Sequence, residues 1–196
     1  MGRGRAQGMS STRSGLGFDL HPLVDGRPLV LGGVAVPHER GLVGHSDADV
    51  LTHAVCEALL GALALGDLGR MFPDTDPRWK GVSSLVLLEG VLDALRAKRA
   101  TLVNVDATVI CQAPRLGPHL PAMAARLAKT MGVETDRVSI KAKSPEHLGH
   151  LGRGEGIAAM AVVSVEVAWR STTRCRVLRR SSRRSRRVRR ASTSAA

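Results

Sequence analysis

Read from the N-terminus, the chain shows short alternating apolar stretches first and longer Ala/Leu-rich segments after them. SGLGFDLH at 14–21 reads as strand text, and RPLVLGGVAVP at 27–37 follows as a β-branched run broken by a Gly pair and stopped by Pro37, which predicts a hairpin-like pair. GHSDADVLTHAVCEALLGALALGD at 44–67 predicts a helix, with Ser46 as candidate N-cap and Asp49 three residues on, close to a capping box. LGRMFPDTDPRWKG at 68–81 reads as loop, and SSLVLLEGVLDALRAKR at 83–99 as a second amphipathic helix capped by Ser83 or Ser84. TLVNVDATVICQAP at 101–114 alternates as a half-buried strand does, and HLPAMAARLAKTMG then predicts a third helix ending at Gly132. VSIKAKS at 138–144 and GIAAMAVVSVEVAW at 156–169 read as the last two strands, joined by the glycine-punctuated PEHLGHLGRGE. Interleaved strands and helices predict an α+β fold, a mixed sheet with helices packed on one face.

At 196 residues the chain fits one domain with a real core. Its formal charge of +12 would suggest a nucleic-acid partner if it were spread over that domain. It is not: residues 170–190 hold eleven Arg and no acid, leaving 18 Lys plus Arg against 17 Asp plus Glu before them, a net of +1. The expected organisation is an extension over 1–13, a folded domain over 14–168, and an Arg/Ser-rich tail over 169–196 that is too poor in apolar residues to fold. The tail lacks aromatic interleaving and a folded reader, which argues against nucleic-acid binding; its bias also fits out-of-frame translation of GC-rich DNA. Three cysteines without framework spacing suit a reduced, cytoplasmic protein, and no apolar run is long enough for a membrane span. The extension has no secretory h-region, and Met9 is an alternative start to Met1.

On a strand, residues i and i+2 project from one face, so Asp19 and His21 can reach one point. A third donor is offered by His53, one helical turn after Asp49 and one before Glu57. Two imidazoles and a carboxylate suit zinc with an open fourth position; a solvated polar pair at a strand end is the plainer alternative. His45 and Ser46 stand at the mouth of the 44–67 helix, where free N–H groups favour anions such as phosphate. KAKSPEHLGHLGRGEG gathers Lys141, Lys143, Ser144, Glu146, Arg153 and Glu155 among glycines that let backbone approach a ligand, although an ordinary polar turn reads the same way.

Taken together, GFDLHP, GGVAVPHERGLVGHSDADVLTHAVCEALLGA, LGDLGRMFPDTDP, NVDATVICQAP and LGRGEGIAAMAV resemble, in order and spacing, the 2-C-methyl-D-erythritol 2,4-cyclodiphosphate synthases of the non-mevalonate isoprenoid pathway, over about residues 13–167. The resemblance implies conversion of 4-diphosphocytidyl-2-C-methyl-D-erythritol 2-phosphate into the cyclic diphosphate with release of CMP, by attack of the 2-phosphate on the β-phosphorus. It implies zinc on Asp19, His21 and His53, and magnesium or manganese held by Glu146 with substrate phosphates. His45 and Ser46 match residues that position the attacking phosphate, and His45 and Ser144 match those credited with transition-state contact. Asp67, Leu68 and Gly69 with Phe72, Pro73, Asp74, Thr75 and Asp76 resemble the loop that holds the methylerythritol moiety. Cys111, Gln112, Ala113, Pro114, Arg115, Leu116 and Gly117 resemble the cytosine pocket, and Lys143, Ser144, Pro145, Glu146, His150 and Arg153 complete the substrate contacts. The resemblance also implies a homotrimer with sites between subunits.

Departures from the pattern cluster in the same loop. Lys143 and Ser144 stand where Thr-Thr is usual, Ser144 keeping a hydroxyl; Pro145 removes a backbone donor and restrains Ser144 toward extended geometry. His150 replaces a common Phe, Ser83 a common Asp, and Glu57 a usual Asp that would be placed to orient the His53 ring. Arg153 and Glu155 match a motif at the trimer axis, read either as an isoprenoid diphosphate site or as an Arg–Glu pair between subunits.

Overall fold

A computed structural model of the protein describes residues 10–168; residues 1–9 and the whole of the Arg/Ser-rich tail lie outside the described residues. The chain opens with β1 (Ser10–Asp25), followed by the hairpin β2 (Leu29–Leu31) and β3 (Val34–Val36). Gly32 and Gly33 form its two-residue turn with φ of 57° and 69°, the left-handed geometry that such turns require. Next come β4 (Arg40–Leu42), α1 (Val50–Ala62), the short α2 (Leu68–Met71) and α3 (Ser84–Ala97). The remainder is β5 (Ala100–Ile110), α4 (Leu120–Met131), β6 (Val138–Lys143), a single-turn α5 (Gly149–Gly152) and β7 (Gly156–Ala168). The main sheet runs β4-β1-β7-β5-β6, with β5 and β6 parallel and the other neighbours antiparallel. The expected α+β architecture with a mixed sheet is therefore present.

α1 lies across β1 and β7, α3 leans on α1 and β5, and α4 covers β6. The core forms between them from Leu51, Val55 and Leu59 of α1, Leu88 and Val91 of α3, Met123 and Leu127 of α4, and Ile157 and Val163 of β7. β1 departs from the usual alternation. Its helix-facing positions include Gly15 and Gly17, while the apolar Leu16, Phe18 and Leu20 point away and are 62%, 55% and 40% exposed. The glycines are dictated by packing: a Cβ at Gly17 would sit 2.0 Å from the Ala54 carbonyl oxygen, and one at Gly15 1.9 Å from that of Ala58. Only a strand without side chains there lets the α1 backbone approach this closely.

Several boundaries differ from the sequence reading. Residues 10–13, expected outside the folded domain, belong to β1 and pair with Val165–Ala168. The first helix starts at Val50 rather than near Ser46, because Ala48 adopts a left-handed φ of 58° and Asp49 takes the cap. The Asp49 carboxylate accepts the Thr52 N–H at 3.0 Å and the Thr52 hydroxyl at 2.6 Å, and also the N–H groups of Gly32 at 2.9 Å and Gly33 at 2.7 Å. One side chain thus starts α1 and ties it to the β2–β3 turn. The 68–81 segment, expected as loop, contains α2 and a 3₁₀ turn over Pro77–Trp79, each capped by an aspartate. Ser83 caps α3, one of the two residues the sequence offered for that place. Among the described residues no helix is long and apolar enough to cross a membrane.

Candidate active site

The close approach of α1 to β1 decides where the chemistry sits. Asp19 and His21 follow Gly17 on the helix-facing side of β1, and His53 stands on α1 beside Ala54, the residue Gly17 faces. Asp19 Oδ2 lies 2.9 Å from His21 Nε2 and 2.9 Å from His53 Nδ1, and the two ring nitrogens are 3.1 Å apart. The other oxygen, Oδ1, accepts the Leu20 N–H at 2.9 Å. Three lone-pair donors on two elements therefore converge on one point, as the i, i+2 spacing and His53 suggested. A tetrahedral zinc about 2.0–2.1 Å from each donor needs donor–donor edges of about 3.3 Å, a few tenths wider than this triangle. The donor set and its spacing fit a metal-binding site.

Burial alone would raise the Asp19 carboxyl, but the hydrogen bonds and charge of His21 and His53 outweigh it and hold the group far below the ordinary carboxylate range. For His21, burial works against protonation, and the Asp19 hydrogen bond and charge, with the Val43 backbone, overcome it and raise its pKa. Without metal, Asp19 is charged and His21 is biased toward its protonated form.

The far side of the His53 ring meets Ser46 and two residues that sequence reasoning missed, Ser84 and, behind it, Asp47. His53 Nε2 is 2.8 Å from Ser84 Oγ and 3.0 Å from Ser46 Oγ, and Ser84 in turn donates a short hydrogen bond to Asp47. Ser46 also accepts the Ala48 N–H at 3.2 Å, so its hydroxyl turns into the protein. Glu57, expected to orient His53, instead accepts the Leu68 N–H at 2.9 Å and anchors the start of α2; burial raises its carboxyl, with the Asp67 and Asp19 charges adding to the effect. Trp79, also missed, packs edge-to-face on Phe72 with centroids 4.9 Å apart. No local motif marks either residue: Ser84 reads as a cap, and Trp79 sits in text that reads as loop.

Around the triad, His45, Ser46, Leu68, Gly69, Phe72, Asp74 and Trp79 line a cleft that includes His21 and His53. His45 Nε2 is 3.4 Å from the Asp76 carbonyl oxygen. Asp67 and Asp76 cap the Arg70 and Arg78 N–H groups at 2.8 and 3.0 Å, which shapes this loop from within. Pro73 and Thr75 lie exposed on it.

The remaining candidates gather elsewhere. Cys111, Gln112, Pro114, Arg115, Leu116 and Gly117 line a second cleft with Lys143 and Ser144, and the Cys111 N–H donates to the Lys143 carbonyl at 3.1 Å. Burial pushes the Cys111 thiol up to about 11, which makes it a poor nucleophile. After Pro145 the chain turns through Glu146 and His147 with φ of 53° and 62°, and Ser144 Oγ accepts the Glu146 N–H at 3.0 Å. Glu146 is exposed and stands apart from the triad. Register places His21 beside Ile157, Ala158 beside Ile110, and Ile110 beside Lys143, so both groups occupy one end of the sheet. Three strand spacings separate them, about 14 Å. His150 shares a third, shallow pocket with His21 and Glu155, and Arg153 pairs with Glu155 at 2.6 Å within the same chain.

Comparison with known proteins places this geometry in context. The family model described as the YgbB family matches residues 12–166. The chain is 59% identical over 150 residues to the 2-C-methyl-D-erythritol 2,4-cyclodiphosphate synthase of Bordetella avium, covering 76% of this chain and 93% of that protein. A solved structure of a synthase of that name with CDP bound superposes with a TM-score of 0.73 at 39% identity, over 78% of this chain and 99% of that one. The bifunctional IspDF of Campylobacter jejuni superposes with a TM-score of 0.78 at 38% identity; 81% of this chain is covered, which spans 43% of that longer protein.

Proposed function

The chain belongs to the YgbB family of 2-C-methyl-D-erythritol 2,4-cyclodiphosphate synthases, and from that membership we infer how the geometry above performs the reaction. The protein converts 4-diphosphocytidyl-2-C-methyl-D-erythritol 2-phosphate into 2-C-methyl-D-erythritol 2,4-cyclodiphosphate and CMP, a step of the non-mevalonate route to isoprenoid precursors. An oxygen of the 2-phosphate forms a bond to the β-phosphorus as the bond between the β-phosphorus and the bridging oxygen breaks, and CMP leaves with that oxygen on its own phosphate. No group on the protein needs to become covalently attached. Positioning and charge neutralisation supply the rate.

The convergence of Asp19, His21 and His53 carries this reading. They are the residues that would hold zinc, which supplies Lewis-acid polarisation of a phosphate oxygen. Asp19 orients both imidazoles through one oxygen, and His45 with the loop at Ser46 presents donors to the attacking phosphate at the entrance to α1. The 67–76 loop, anchored by Glu57, closes over the methylerythritol carbons with Phe72 and Trp79 as its apolar wall. The Cys111–Gly117 cleft takes the cytosine, in keeping with the CDP bound to the solved relative. Ser144 offers a hydroxyl to the transferring phosphoryl group, and Glu146 is the residue that would hold magnesium or manganese with the substrate phosphates. Lys143, Pro145, His150 and Arg153 border this second region.

A single chain leaves those two regions about 14 Å apart across the sheet. We place the complete site between subunits of a homotrimer. The outward face of β1 and β7 supports this: Leu16 is in register with Val162 and Phe18 with Met160, an apolar surface that nothing covers among the described residues. Changing His53→Ala tests the reaction site. CMP release should fall by at least about 10³-fold with the far-UV circular dichroism unchanged, and turnover at the wild-type rate would overturn the assignment.

A further inference from the structure

The His53 ring faces the triad through Nδ1 and the protein interior through Nε2, and the interior contacts fix more than its orientation. Nε2 lies 2.8 Å from Ser84 Oγ, and Ser84 is fully buried at the first residue of α3, 31 positions from His53. The same hydroxyl lies in short hydrogen-bond contact with Asp47 Oδ1. An ionised carboxylate only accepts, so the single Ser84 proton is committed to Asp47. Ser84 then presents lone pairs to His53 Nε2, and an unprotonated Nε2 would meet them as one acceptor against another. Ser46 Oγ, 3.0 Å from Nε2 and 3.3 Å from Ser84, completes this arrangement when it accepts from Nε2–H and donates to Ser84.

We propose that Ser84 and Asp47 are positioning residues: the ordered chain His53 Nε2–H to Ser84 Oγ–H to Asp47 holds a proton on Nε2, so that Nδ1, which donates to Asp19 while no metal is bound, is the nitrogen left to hold one. The ring is thereby oriented, with Nδ1 toward Asp19 and His21, by hydroxyl and carboxylate groups on its far side. Ring orientation through an outer hydrogen bond of this kind tunes metal affinity by about 10–100-fold. The proposal rests on the reading of the triad as a metal site.

Two measurements on the full-length protein test it. In chelator competition, Ser84→Ala should bind zinc about 10–100-fold more weakly than wild type, with an unchanged far-UV spectrum, and Ser84→Thr, which keeps the hydroxyl, should recover most of the affinity. Wild-type affinity in Ser84→Ala would overturn the proposal. In the zinc-loaded protein at pH 8, the His53 Nε2–H proton should be protected from solvent exchange in wild type and exchange much faster in Ser84→Ala; equal exchange in the two would overturn it equally. Failure of wild type to bind zinc would overturn the metal reading and the proposal with it, whereas zinc binding that Ser84→Ala leaves unchanged overturns the proposal alone.

Discussion

The two faces of β1 carry opposite chemistries at adjacent residues. Toward α1 stand Gly15, Gly17, Asp19 and His21; toward the outside stand Leu16, Phe18 and Leu20. The inner face gives up side-chain volume so that a helix backbone can approach, and it places its polar residues where His53 meets them. The outer face keeps its apolar bulk, and among the described residues nothing covers it. In an ordinary half-buried strand the large apolar residues would fill the core. The inversion shows that one strand is shared between two tasks: a site assembled within the subunit, and a surface for the neighbouring copy we propose.

The largest break in this comparison comes from the inner face. Gly17→Val forces a Cβ onto the Ala54 carbonyl oxygen, backbone that cannot swing aside, so α1 must lift from β1. Unfolding in urea should show a loss of about 3 kcal/mol. Zinc retention should fall with it, because His53 moves with Ala54. A variant that kept both wild-type stability and zinc would refute the view that the glycines set the triad's spacing.

One residue along, Phe18→Glu acts on the outer face alone. Phe18 is 55% exposed in the subunit, so the intrinsic stability of one chain should change by no more than about 0.5 kcal/mol. Burying that carboxylate between copies is costly, and light scattering should report monomers where we propose that wild type forms trimers. CMP release should be lost while zinc is retained, since the triad belongs to one subunit. An active trimer in this variant would place the subunit contacts elsewhere.

That contrast also marks what was legible in the sequence. Asp19 and His21 were readable because strand periodicity alone puts them on one side, and His53 because it sits in a helical segment rich in core residues. Ser84 was not: it reaches His53 from 31 positions away, and its place at a helix start offers a sufficient local explanation. Asp49 was misread as part of a capping box, since nothing local announces that Ala48 turns left-handed or that the same carboxylate also holds the Gly32–Gly33 turn. The glycines of β1 read as weak strand residues, and only the α1 backbone pressed against them explains why they are there. Fold class and element order followed from periodicity; contacts between distant elements did not.

The smallest effect expected is a pH dependence at the end of the inner face, and its sign follows from two opposed shifts. Asp19 titrates lower in the folded chain than in the unfolded one, so its contribution to stability is full above its unfolded value of about 3.9 and fades as pH falls below it. His21 titrates higher in the folded chain, so its contribution is full below its unfolded value of about 6.5 and fades as pH rises through the folded one. The metal-free protein should therefore be most stable between about pH 4 and 6.5, and its melting temperature should decline toward pH 8. Zinc takes the place of the His21 proton, so loading the site should abolish that decline above neutrality and make acidification the destabilising direction. Melting curves from pH 4 to 8, with chelator and with zinc, check both statements. A flat metal-free profile across that range would mean that the Asp19–His21 contact does not persist in solution, and the inner face would then lose its claim to be assembled before the ligand arrives.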